Sequence, residues 1–414
     1  MGKNARDRRP LVRKVQSIEV PEKHFKLRVF LFVVCLVFGA ALITYGVSGF
    51  FKVDTGWQTI SAGASSADLR DEFTLQYEIG AAGISAKKEY NQISSVYGAA
   101  TAEAYKLFHE TELFEGVYNV AYLNAHPNET VEVSEVLYNA LSKLEKSGTR
   151  QSYIAPIYEF YAALFTCSDD GEIEWYDPTL NEEIAGLFSE ILIFTNDPDA
   201  ISLELEGNGK VCLHISDEYL AFAKQNGINT FYSFHWMKNA FIVDYLADTL
   251  CDAGYTNGAL SSHDGFCRSL DSRGTSYSLN LFDRVENTIV QSGQVRYTVP
   301  LSTVTMRTFP VNYSDDPHYY VLENGETRFP YISTRTGLCL AARSSFVCWS
   351  EEAGCADILM NMIPVYVSDS LNVNSLKYAG VFCKDDVIWH TAPLTEDVTV
   401  IPAEGYSVEP YYDK

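Results

Sequence analysis

The chain has 414 residues, 47% of them apolar and 13% aromatic, which is enough to bury a large core and excludes a disordered chain. Of its 31 basic and 54 acidic residues, nine basic and three acidic fall within residues 1–28, which leaves 22 against 51 beyond them. A body that acidic repels phosphate backbones, so it is not expected to bind nucleic acid.

Taken in order, residues 1–28 form a basic tail. Val29 to Phe51 follows as 23 uncharged, mostly apolar residues, long enough to cross the roughly 30 Å of bilayer hydrocarbon. The run is longer than the apolar region of a cleaved signal peptide, which is the alternative reading. By the positive-inside rule the tail stays in the cytoplasm and the acidic body lies outside, giving a single-pass cell-membrane protein. Residues 52–70, rich in Ser, Gly and Thr, read as a linker, and residues 71–414 as one extracytoplasmic domain.

Within that domain, helical patterns dominate as far as Glu115, chiefly over Ala86–Thr111. Val133–Lys146 reads as a helix capped by Ser134, striped by Leu137, Leu141 and Leu144, and stopped by Gly148. Ile201, Leu203 and Leu205 alternate before Asn208-Gly209, and Val211, Leu213 and Ile215 alternate after it, which predicts a hairpin. Ser216 caps a further helix that Gly227 ends. Ile242, Leu246 and Leu250 recur every fourth residue with Asp244, Asp248 and Asp252 on the other side, and Gly254 stops the helix. A short strand through Ala259 and Leu260 runs into the turn Asp264-Gly265, a dipeptide that brings backbone close to a neighbour or a ligand. Strands and turns fill the C-terminal third around a helical segment at Cys355–Val367. Helices and strands interleave without a βαβ rhythm, so the fold class is α+β, a single large mixed domain.

Common catalytic signatures are absent: there is no HExxH, GxSxG, Walker A or GxGxxG. Ser261, Ser262, His263 and Asp264 have the letters of a hydrolase triad, but neighbours on extended chain point to opposite faces and cannot relay a proton. Eight cysteines lie beyond the apolar run without a CxxC pair; free thiols and a local bridge among Cys339, Cys348 and Cys355 are both open.

Four stretches in order resemble the FAD:protein FMN transferase (ApbE-like) family. They are Leu123-Asn124 with Glu129–Tyr138, then Lys238–Gly254 with Asp244, Ala247, Leu250 and Gly254 in phase, then Tyr331–Gly337 (YISTRTG), and last Ala356–Asn361 (ADILMN). The resemblance they carry spans most of the chain from about residue 75 to 405. The resemblance implies a membrane-tethered, extracytoplasmic domain that binds FAD and Mg²⁺ and transfers FMN to a threonine of a partner redox protein. It implies Asp357 and Asn361 as metal ligands, one turn apart on a helix face, with Asn361 where the family has Thr. His235, Lys238, Asn239, Asp264 and Thr336 are the implied cofactor-binding set, and no catalytic residue is assigned.

The departures from the family are numerous. Its flavin-contacting Asp falls on Ser233, its small-residue pair on His235 and Trp236, and its Lys on Asn239. In the third motif the His falls on Pro330, the Asp on Ser333 and the Pro on Thr334. Core positions persist while ligand positions change. Two functions follow: a Mg²⁺-dependent flavin transferase with a remodelled site, or a catalytically degenerate domain that binds flavin or protein in the cell envelope. A third, carbohydrate or peptide binding through the 27 Tyr and 23 Phe, competes with their ordinary place in a core.

Overall fold

A computed structural model describes residues 25–50, 53–62, 72–81, 83–312 and 316–411 of the chain. The basic tail up to residue 24 and residues 52 and 63–70 of the expected linker lie outside them. The chain divides into two units, Met1–Asp54 and Thr55–Lys414.

In the first unit Phe25–Phe50 is one helix of 26 residues, covering the expected span up to its penultimate residue. Phe32 and Phe38 on it are 66% and 67% exposed. Among the described residues no helix is long and apolar enough to cross a membrane, so the helix is established and the span is not.

The second unit is built on a nine-stranded sheet. Its order is Gly56–Ile60, Phe73–Ile79, Gly258–Ser262, Phe266–Ser269, Leu301–Arg307, Ser345–Ser350, Ala379–Lys384, Val387–His390 and Ser407–Pro410. All neighbours run antiparallel except the last pair. Two of these strands were not expected: Gly56–Ile60 lies in the stretch read as linker, and Phe73–Ile79 in one read as helical. Phe73, Leu75, Tyr77 and Ile79 alternate as buried residues, the period-2 signal of a strand with one face on a core. The Ser345–Ser350 strand shows how both sheet faces are covered. Val347 and Trp349 point into a cluster with Leu281, Val295 and Val398 from a three-stranded sheet, Val398–Pro402, Thr288–Tyr297 and Tyr277–Val285. Phe346, on the opposite face, stacks on Tyr366 of the helix Cys355–Tyr366.

That helix packs beside Lys238–Asp252, which in turn packs on Ala86–Phe108. The predicted stripe is the buried one: Ile242, Leu246 and Leu250 are all fully buried. Local caps follow the sequence closely. Ser134 and Gly148 bound Glu135–Ser147, and Ser216 and Gly227 bound Asp217–Asn226, with both glycines in the left-handed region. Asn208 and Gly209 also have positive φ, as a tight turn between the paired strands Ile201–Gly207 and Lys210–Ile215 requires. All nine cysteines are free thiols, which closes the question of a bridge among Cys339, Cys348 and Cys355.

One cap is supplied from a distance. The helix Cys355–Tyr366 begins after Gly354, which has no side chain to satisfy the first amides. Asp244 does so instead, accepting from the Cys355 and Ala356 N–H groups at 2.8 and 2.9 Å. A Cβ on Gly354 would sit 2.4 Å from the Asp244 carboxylate, so the remote cap and a local one exclude each other. Arg268, on the strand Phe266–Ser269, lies 3.5 Å from the same carboxylate and 2.6 Å from Asp248. Burial pushes the Asp244 pKa up, against the pull of Arg268 and the two amides.

This exclusion predicts a change of sign. Asp244→Ala should cost about 2–4 kcal/mol, from the lost cap and the ion pair broken at a buried site. Gly354→Ser should destabilise the native protein but recover about 1 kcal/mol in the Asp244→Ala background, where its hydroxyl replaces the missing acceptor. Urea unfolding of the four proteins in the double-mutant cycle checks this, and additive effects would contradict it.

Candidate functional site

His235–Met237 forms a 3₁₀ turn leading straight into Lys238–Asp252; neither Phe234 nor Met237 caps with its side chain, and the local acceptor is Ser233 Oγ, which takes the His235 N–H at 3.1 Å. Glu110 supplies the acceptor from outside, taking the Phe234 and His235 amides at 3.1 and 3.0 Å on one carboxylate oxygen. Burial works against the ionised form of Glu110, but His235, Lys238 and these hydrogen bonds outweigh it and hold its pKa below the usual value. Held this way, His235 adopts φ of +45°, an uncommon conformation for a residue with a Cβ. Its ring lies 4.1 Å from that of Tyr158, and its Nε2 is shut from solvent without a partner.

One turn on, Asn239 meets the Asp264-Gly265 turn. Asn239 Nδ2 donates to Asp264 Oδ2 at 3.0 Å. The opposite amide orientation would set oxygen against carboxylate, so this bond fixes Asn239 Oδ1 on the other side. Asn239 is 8% exposed, and both its Oδ1 and the Asp264 Oδ1 are buried without a hydrogen-bond partner. Burial, the first cause, pushes the Asp264 pKa up. Gly265 does bring backbone close, but to protein: at φ of +108° it sits where a Cβ would lie 2.5 Å from the Thr305 carbonyl oxygen.

These groups line a cavity of about 590 Å³. One wall is aromatic: Trp236 Nε1 donates to the Tyr158 hydroxyl at 2.6 Å, which donates to Gln151 Oε1 at 2.7 Å, and Gln151 Nε2 donates to the Ile332 carbonyl at 2.9 Å. Burial raises the Tyr158 pKa far above the ordinary phenol value, so the hydroxyl stays protonated. Phe165 and Pro330 continue that side, while Glu72, Glu110 and Asp264 stand with Lys238 in the polar lining.

Of the sequence-derived set, His235, Lys238, Asn239 and Asp264 meet at this one cavity. Thr336 does not line it; its amide and hydroxyl serve the turn after Ser333, bonding Ser333 Oγ and the Leu338 amide. Asp357 and Asn361 also lie elsewhere. Asp357 is 2.8 Å from Lys143 Nζ, and Asn361 donates to the Ser375 carbonyl and accepts from the Lys377 amide at 2.8 Å. Among the described residues no group of three His, Cys, Asp or Glu side chains is placed to hold a metal ion. Glu110 and Glu72 escaped sequence reasoning: neither belongs to a motif, and only the fold brings each to the cavity.

Burial lowers the His235 pKa to about 4, with Lys238 adding to that and Glu110 opposing it. Between the ordinary 6.5 and about 4 the unfolded chain therefore binds a proton that the folded chain refuses, so stability falls as pH falls through this window. Against His235→Asn, which tolerates the positive φ but does not titrate, the native protein should lose about 2–3 kcal/mol on going from pH 6.5 to 4. Urea unfolding at stepped pH measures it; a pH-independent difference would place the titration elsewhere.

No protein-family model matches the chain, and no curated protein sequence does. Solved structures do match. The ApbE protein of Thermotoga maritima superposes with a TM-score of 0.51 at 12% identity, over 84% of this chain and 97% of that one. The flavin transferase ApbE from Vibrio cholerae gives 0.51 at 12% identity, over 81% and 94%. Likeness at that identity speaks to the path of the backbone: the chain has the mixed α+β fold of the ApbE proteins.

Proposed function

We propose that the domain is a catalytically degenerate ApbE-fold module that binds a small ligand in the cavity beside His235, Asn239 and Asp264. The observation that carries this reading is the engagement of Asp357 by Lys143 at 2.8 Å, with Asn361 held by the 375–377 backbone. The implied Mg²⁺ ligands are thus already partnered within the protein and stand away from the cavity. A hard cation needs several convergent oxygen ligands, and this pair does not provide them. FAD fits no better: its diphosphate would face Glu72, Glu110 and Asp264 with the single ammonium of Lys238 to offset them. Pro330 occupies the place where the resemblance puts the family's His, and it lines the cavity without a titratable group.

The tether belongs to the same reading. Residues 29–51 would hold the module at the outer face of the cell membrane, supported by the basic tail, the acidic body and the apolar helix surface. The competing transferase reading needs FAD, Mg²⁺ and an acceptor redox protein, and the shared fold is what favours it.

Titrating FAD with the full chain in detergent separates the two. Flavin fluorescence should stay unquenched through the micromolar range with or without Mg²⁺, and Asp357→Ala should lower stability by no more than about 1 kcal/mol, as for a half-exposed ion pair. Mg²⁺-dependent quenching that Asp357→Ala abolishes would restore the transferase.

A further inference from the structure

The ligand's chemistry can be read from which atoms of the cavity remain unused. Several donors at the cavity are spent: Asn239 Nδ2 is bound to Asp264, the Phe234 and His235 amides to Glu110, and Trp236 Nε1 to Tyr158. His235 Nε2, Asn239 Oδ1 and Asp264 Oδ1 are left over, all three buried without partners; the two oxygens are acceptors, and the ring nitrogen is one in the tautomer that carries its proton on Nδ1. A buried acceptor without a donor is costly, so whatever completes this site brings donors to it. The charge argues the same way, with three carboxylates, Glu72, Glu110 and Asp264, against one ammonium, Lys238, and the imidazoles of His235, His263 and His318. The indole of Trp236 and the ring of Tyr158 add π faces that attract a cation and stack on a flat body.

We propose that the cavity binds a protonated amine carried on a flat apolar body, its ammonium donating to Asn239 Oδ1 and the Asp264 carboxylate and its body lying along Trp236 and Tyr158. This rests on the reading of the domain as a binding module. It involves no covalent step.

The test uses the full chain in detergent and two probes with the same ring system and opposite charge, tryptamine and indole-3-acetate, titrated by calorimetry. Tryptamine should bind at least about tenfold more tightly, the scale of a charge-assisted hydrogen bond in a sheltered site. Asp264→Asn, which keeps the shape and removes the charge, should weaken tryptamine about tenfold. Lys238→Met should strengthen it, an effect of opposite sign that damage to the fold would not produce. Equal affinities, preference for indole-3-acetate, no binding of either probe in the millimolar range, or weaker tryptamine binding in a folded Lys238→Met protein would each overturn the amine proposal. Failure of the module reading looks different: it is Mg²⁺-dependent FAD binding, whatever the two indoles do.

Discussion

Three remote pieces of chain meet at the carboxylate of Asp244: its own helix, the N-terminus of the helix Cys355–Tyr366, and Arg268 on the strand Phe266–Ser269. The strand carrying Arg268 continues directly from the Asp264-Gly265 turn, and the helix carrying Asp244 starts at Lys238. One buried contact therefore fixes both walls of the polar side of the cavity relative to each other. It also has a chemical consequence. A helix N-terminus is a natural seat for a phosphate, because its amides point at the ligand. Here the first two amides are already taken by the protein's own carboxylate, and the absent Cβ of Gly354 leaves the room for it.

What the sequence discloses is set by range. Ser134, Gly148, Ser216, Gly227 and Asn208-Gly209 act within a few residues of themselves, and the elements they bound are where the pattern puts them. The stripe of Ile242, Leu246 and Leu250 likewise needs only helical period to be seen. The strand Phe73–Ile79 alternates cleanly and pairs with the nearby Gly56–Ile60, a signal that a helical reading of that stretch passes over; its other partner, Gly258–Ser262, is more than 170 residues away and only the fold supplies it. The same limit governs the site. Asp264 and Asn239 could be named from motif positions, yet their mutual bond, which decides which atoms stay free, is a tertiary fact. Asp357 fits a ligand pattern one turn from Asn361, but Lys143 is over 200 residues upstream and no local pattern brings it alongside.

The fold and the site depend on different parts of the same helix. Along Lys238–Asp252 the buried stripe packs on Ala86–Phe108 and on Cys355–Tyr366, where a change of one methylene group is felt as a cavity or a clash. From the 3₁₀ turn and first turn before that stripe, His235, Trp236, Lys238 and Asn239 line the cavity instead, while Met237 and Ala240 are fully buried. The resemblance divides along this line, kept at Asp244, Ala247 and Leu250 and lost from Ser233 to Asn239.

Groups on that turn are partnered across the cavity. Trp236 is tolerated because Tyr158 takes its indole N–H, and Tyr158 is in turn held by Gln151. His235 is kept at positive φ because Glu110 holds its amide and that of Phe234. An eroding site would leave such groups facing empty space at random. Here Trp236, Tyr158 and Gln151 satisfy one another in sequence, and the unpaired buried atoms at the cavity are His235 Nε2, Asn239 Oδ1 and Asp264 Oδ1. Two of these three atoms are oxygens that can only be completed by a hydrogen-bond donor while Asp264 is ionised, and the third sits on the turn that carries Asn239.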